Sequence, residues 1–165
     1  MSTFVSVGNA TQPFRRLLDE VARLAAALPQ PVVVQHGATP FHADSCRAIP
    51  FVDMNEFEHL MASSNLLILH AGAGSVIHAV RAGKVPVVMP RRALFGEHID
   101  DHQIEFARAL AAVGRVVLAY ESEQLGDAVH RAMALQREAG QASSDASPML
   151  KLMDETLARY ARQFP

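Results

Sequence analysis

Cysteine is almost missing from this chain: Cys46 is the single one among 165 residues. A disulfide framework is thereby excluded, and the sequence reads as that of a protein kept in a reducing compartment. Tryptophan is absent, and Lys84 and Lys151 are the only lysines. The basic charge is therefore nearly all arginine, which suits bidentate phosphate contacts but follows equally from a GC-rich genome. Neither sign of charge dominates, since 15 basic against 17 acidic residues leave a formal −2. A nucleic-acid partner is not expected on that balance. No apolar run approaches the ~18 residues that span a bilayer. Met1-Ser2-Thr3-Phe4-Val5 also lacks the basic segment and long apolar core of a signal peptide. The expectation is a cytoplasmic protein that meets a membrane only through a surface or a partner. There is no internal repeat and no Asp-x-Asp run of the kind that holds a metal.

What is present is an alternation of short β-rich runs and helical stretches. A chain of this length fits one domain that buries roughly two thirds of its unfolded surface. Strands are expected at residues 3–7, 32–35, 49–52, 66–69, 85–89 and 116–118, and a loop at 37–48. Helices are expected at 12–28, from a cap at Asn55 to about 63, from 72–75 to about 83, and at 99–112 and 121–138. The continuous apolar character of Val32-Val33-Val34 and Leu66-Leu67-Ile68-Leu69 suits strands covered on both faces. Such alternation implies right-handed crossovers and a doubly wound parallel sheet, Rossmann-like in class. Residues 1–139 form that domain, 140–147 (GQASSDAS) a linker, and 148–165 an amphipathic helix. Met149, Met153, Leu157 and Phe164 give this helix an apolar stripe. It packs on the domain, on a second copy, on a membrane surface or on a partner subunit.

In such a sheet ligands gather at the carboxyl ends of the strands. Three strand-to-helix loops there carry candidate chemistry. In His70-Ala71-Gly72-Ala73-Gly74-Ser75, the glycines let a ligand approach the backbone, and a helix start at Ser75 offers N–H groups to a phosphate or diphosphate. A plain tight turn capped by Ser75 is the alternative. The dinucleotide pattern G-x-G-x-x-G fails, because Ile77 stands at its third glycine. The loop at 90–103 holds Arg91, Arg92, His98, Asp101, His102 and Gln103, a polar set suited to sugar hydroxyls. A metal is the competing use of His98 and His102, with Asp101 nearby, although spacing fixes no third ligand. Gly8-Asn9-Ala10-Thr11 is a glycine turn into a helix with Thr11 as a possible cap.

The segment LILHAGAGSVIHAVRAGKVPVVMPRRALFGEHIDDHQIEFARAL, residues 67–110, resembles the C-terminal domain of family 28 glycosyltransferases. It is most similar to the short catalytic subunits of two-part enzymes, of the dolichol-pathway and bacterial capsule or exopolysaccharide types. Phe4-Val5-Ser6-Val7-Gly8 with Pro13-Phe14, Gln35-His36-Gly37 and Phe51-Val52-Asp53-Met54 extend the similarity over about residues 3–137. The resemblance implies one half of a GT-B enzyme that transfers a sugar from a UDP-sugar with inversion. Gly8, Gly72, Ala73, Gly74 and Ser75 would approach the donor, whose diphosphate lies at 72–75. Phe51, Val52 and Met54 would lie against uracil, and His102 and Gln103 would bind the transferred sugar. Arg91 or Arg92 would face the leaving phosphate, and His98 or Asp101 would be a base unless the partner supplies it. No metal or other cofactor is implied. The implied partner is a membrane-anchored acceptor-binding subunit at the inner membrane, and the acceptor a lipid-linked saccharide. His78 departs from the family, which carries glutamate there to accept bonds from the ribose; neutral histidine offers one acceptor. That departure keeps open a non-catalytic UDP-sugar-binding module. Another nucleotide-sugar enzyme, such as an epimerase fragment, is the further alternative.

Overall fold

The computed structural model describes residues 1–141. Strands β1 (Thr3–Ser6), β2 (Val32–Gln35), β3 (Cys46–Ile49), β4 (Leu66–His70), β5 (Val87–Met89) and β6 (Val117–Leu118) form one sheet. Its order is β3-β2-β1-β4-β5-β6, every neighbouring pair parallel. Helices α1 (Arg15–Leu24), α2 (Met54–Ser63), α3 (Ala73–Arg81) and α4 (His102–Ala112) connect strands, α5 (Leu125–Gln141) follows β6, and β2 runs to β3 without a helix. This is the doubly wound, Rossmann-like α/β fold expected from the alternation.

Alternation within each strand explains the two layers. Val5, Val34 and Ile68 point to one face, where Phe14, Leu17, Leu18 and Val21 of the first connection and Leu125 and Val129 of α5 cover them. Phe4, Val33, Leu67 and Leu69 point to the other, under Met61, Val76, Ile77, Phe106 and Leu110. Both faces are dry, so these strands read as unbroken apolar runs. Burying each such side chain contributes about 1.5–3 kcal/mol.

Several boundaries differ from the sequence expectation, each for a local reason. The third strand is Cys46–Ile49, four residues that pair on one side only and stay partly exposed. Residues 49–52 are not that strand. Pro50 follows it, and its carbonyl accepts from the Gly37 N–H at 2.9 Å. Helix α2 is capped by Asp53, whose carboxylate accepts from the Glu56 N–H at 2.8 Å, and not by Asn55. Thr11 caps nothing. The first helix starts at Arg15, and the hydroxyl of Thr39, far along the chain, accepts from the Phe14 N–H at 2.9 Å. Helix α4 starts at His102, because residues 93–101 are taken up by a 3-10 turn and by Gly96 at φ +66°. Helix α5 continues through Gln141, two residues into the stretch expected as linker. The rest of that linker and the 148–165 helix lie outside the described residues.

Candidate donor-nucleotide site

Strands β1 and β4 are neighbours although their connections run in opposite directions, so a crevice opens above their carboxyl ends. A cavity of about 230 Å³ occupies it. Gly8 and Asn9 border it from the loop after β1, Val52, Asp53, Met54 and Phe57 from the start of α2, and Gly74, Ser75 and His78 from α3. Its floor is tied down by the last residues of β1 and β2. The Ser6 hydroxyl donates to Gln35 Oε1 at 2.6 Å, and the Gln35 amide donates to the carbonyls of Gly8 (3.0 Å) and Pro50 (3.1 Å).

Helix α3 opens into this cavity without a side-chain cap. Its N-cap is Gly72, not Ser75, which is the third residue of the helix. Val76 N–H is the first to bond back, to the Gly72 carbonyl at 3.1 Å. The N–H groups of Ala73, Gly74 and Ser75 precede it, and with the helix dipole they favour an anion.

The two glycines of the motif do different work. A Cβ on Gly74 would meet nothing within 4 Å, so that backbone faces open space. A Cβ on Gly72 would stand 2.2 Å from His70 Nε2, and one on Gly8, at φ +74°, would stand 2.6 Å from the same ring. Gly72 and Gly8 are therefore small because the His70 ring is wedged between them. Of the three, Gly74 alone leaves its backbone unobstructed. His70 Nδ1 lies 3.4 Å from the Ser6 carbonyl, and burial together with the Arg91 charge pushes the imidazole down to about 4. At neutral pH the wedge is uncharged.

The loop after β5 carries most of the remaining candidates, and none of them lines the cavity. Arg91 is wholly buried. Its guanidinium lies 4.6 Å over the Phe14 ring and donates to the carbonyls of Gln12 (2.8 Å), Glu97 (3.1 Å) and Val7 (2.9 Å). Its Nε has no partner among the described residues. Arg92 lies between the rings of Phe95 (4.6 Å) and Tyr120 (4.5 Å) and pairs with Glu121 at 2.9 Å. The buried Gln103 uses its Oε1 to accept from the Arg91 N–H at 3.1 Å. Arg91, Arg92 and Gln103 thus shape the loops and line no part of the cavity, which corrects their expected contact with the donor. Phe51 is exposed and outside the lining, whereas Val52 and Met54 belong to it. Ala73 contributes its N–H, while its side chain packs toward the core.

Asp101 accepts from the Ala93 N–H at 2.9 Å. The acid that meets His98 and His102 is its neighbour Asp100. One Asp100 oxygen stands 3.2 Å from His98 Nδ1 and also pairs with His102 Nδ1. The His102 backbone N–H, first, and the two imidazoles hold the Asp100 carboxyl below its usual range. Among the described residues, these three form the group that could hold a metal.

Sequence reasoning passed over Ser6, Gln35 and His70 as site residues. Their shared signal is that each is a polar residue ending an otherwise apolar strand. It also passed over Arg16 and Glu97. Arg16 donates to the buried Glu97 carboxylate (3.1 and 2.9 Å) and to the carbonyls of Tyr120 (2.9 Å) and Pro90 (2.7 Å).

Comparison with known proteins decides the family. The glycosyltransferase family 28 C-terminal domain matches residues 2–156. The chain belongs to this family. Among curated relatives, the "UDP-N-acetylglucosamine transferase subunit ALG13" of Yarrowia lipolytica is 32% identical over 93 residues, 56% of this chain and 45% of that protein. The protein of that name in Cryptococcus neoformans is 43% identical over 67 residues, 39% of this chain and 32% of its own length. The chain thus spans less than half the length of these relatives. Of solved structures, the kitacinnamycin glycotransferase aligns with a TM-score of 0.64 at 17% identity, over 85% of this chain and 37% of that one. Spinosyn forosaminyltransferase SpnP gives 0.56 at 16% identity, over 95% and 43%. These two share the fold, that of one half of a GT-B glycosyltransferase. Among the described residues no helix is long and apolar enough to cross a membrane.

Proposed function

We propose that this chain is the donor-binding half of an inverting glycosyltransferase and takes a UDP-sugar in the cavity between β1 and β4. The observation that carries the proposal is the uncapped start of α3, open to that cavity at the unobstructed Gly74. There the diphosphate meets the N–H groups of Ala73, Gly74 and Ser75. Val52, Asp53 and Met54 face the base, His78 the ribose, and the transferred sugar extends toward the loop bearing His98 and His102.

An acceptor hydroxyl oxygen attacks the anomeric carbon as the bond from that carbon to the β-phosphate oxygen breaks, and UDP leaves. The hydroxyl proton goes to a base, with His98 and Asp101 as the candidates in this chain. Charge gathering on the leaving phosphate is met by fixed N–H dipoles, so no divalent cation is required. The acceptor side is a membrane-anchored subunit presenting a lipid-linked saccharide, which places this chain on the cytoplasmic side of the inner membrane. The word "subunit" in the names of the curated relatives supports a divided enzyme.

The test is calorimetric titration of UDP and UDP-sugars, followed by transfer assays with the co-purified partner. UDP should bind equally with and without EDTA; a large loss in EDTA that manganese restores overturns the metal-free mechanism. His78 supports a second reading, a UDP-sugar-binding module without transfer, which the assay separates by binding without turnover.

A further inference from the structure

We propose that the loop after β5 is a binding site for a divalent transition-metal ion of the zinc class, held by His98, Asp100 and His102. The three ligand atoms lie within 4.8 Å of one another on a five-residue segment. Asp100 Oδ1 stands 3.2 Å from His98 Nδ1, and His102 Nδ1 meets the same oxygen. Tetrahedral zinc, with bonds of about 2.0–2.2 Å, sets neighbouring ligand atoms about 3.3 Å apart. The His98–Asp100 pair already has that spacing. The two rings stand edge to face at 4.8 Å between centroids, and the His102–Asp100 contact, shorter than that spacing, opens when both nitrogens take one ion.

The Asp100 N–H approaches His98 Nδ1 at 3.3 Å, so the backbone also orients that imidazole. The His102 backbone N–H donates to Asp100 Oδ1 at 3.2 Å, which orients the carboxylate. Both flanks of the segment are fixed as well. Glu97 is locked to Arg16, and Asp101 accepts from the Ala93 N–H. The ligands are therefore presented by a braced loop. Asp100 is half-exposed, which leaves an entry path.

Two imidazoles and one carboxylate select zinc, copper or nickel over magnesium and calcium. Three protein ligands leave the fourth position to water or another oxygen donor. None of the three lines the donor cavity, so the site stands apart from the proposed nucleotide contacts, and with the ion on His98 the candidate base in this chain is Asp101.

The experiment titrates zinc, and separately cobalt and magnesium, into the metal-free full chain. One zinc per chain at micromolar concentration, intense tetrahedral cobalt bands and no magnesium uptake are expected. Asp100→Asn should weaken zinc at least tenfold, and His98→Ala should abolish the cobalt bands. His42→Ala removes a histidine–aspartate pair elsewhere, His42 with Asp44, and should change nothing. Zinc binding by Asp100→Asn and His98→Ala equal to the parent's, loss in His42→Ala instead, or no uptake by the parent overturns the proposal. Thermal melting of each variant confirms that it is folded, and the cobalt spectrum of the parent alone decides the coordination.

Discussion

Gly72 and Gly74, two residues apart, should respond to substitution in opposite ways. A Cβ at Gly74 meets no atom within 4 Å, and position 74 lies in the first turn of α3. Gly74→Ala costs nothing in packing and gains helix propensity, up to about 1 kcal/mol. Gly74→Val places two further methyl groups where the diphosphate would sit. A charge-assisted hydrogen bond contributes about 1.5–3 kcal/mol. Displacing the phosphate from even one α3 N–H therefore weakens UDP at least tenfold, ~1.4 kcal/mol. Gly72→Ala does the reverse, because its Cβ would stand 2.2 Å from His70 Nε2. The ring must move in a filled space, at a cost of about 1–3 kcal/mol in stability. Thermal melts and UDP calorimetry on the three variants read both effects. A folded Gly74→Val protein that binds UDP like the parent refutes the placement of the diphosphate. A Gly72→Ala protein with the parent's melting temperature refutes the wedge.

If His78 takes the ribose, His78→Glu should keep or strengthen UDP binding and His78→Ala should weaken it; equal affinities for all three make it a bystander. The His70 imidazole sits at about 4 in the folded chain against 6.5 when exposed, so the unfolded state binds the extra proton. Stability is complete above about pH 6.5 and falls as pH drops toward 4, by at most about 3 kcal/mol. Urea melts from pH 7.5 to 4.5 should show this slope, and His70→Asn should flatten it. Glu97→Ala leaves the Arg16 guanidinium, itself mostly buried, without its carboxylate and should cost about 3–5 kcal/mol. A loss below 1 kcal/mol would mean that the pair does not brace the loop.

The central sheet was legible because its chemistry is local. Val32-Val33-Val34 and Leu66-Leu67-Ile68-Leu69 can be buried on both faces only as interior parallel strands, and the intervening helical stretches leave few ways to connect them. The edge was not legible. Cys46-Arg47-Ala48-Ile49 pairs with β2 alone and keeps Arg47 in solvent, so its composition carries no strand signal. One cap failed because the partner is distant in sequence: the Phe14 N–H is served by Thr39, 25 residues on.

The site divides along the same line between local and tertiary causes. A glycine pair before a helix announces a helix start open to an anion, and the cavity at Gly74 and Ser75 lies where that signal points. Composition could not show that Gly72 is small for the sake of His70, since this depends on the ring's path between β1 and β4. The arginines were misjudged for a related reason. A polar loop after a buried strand looks solvated, yet two of its charges, Arg91 and Glu97, face inward. Arg91 ties the carbonyls of Val7, Gln12 and Glu97 together, Arg16 reaches across to Glu97, and Glu97 also accepts from the Arg92 N–H. This buried frame holds the loop after β1, which carries Gly8, against the loop after β5, which carries His98. The charge of the GEH segment is thus spent on aligning the two rims of the crevice, and the surface groups left for chemistry on that loop are His98, Asp100, Asp101 and His102.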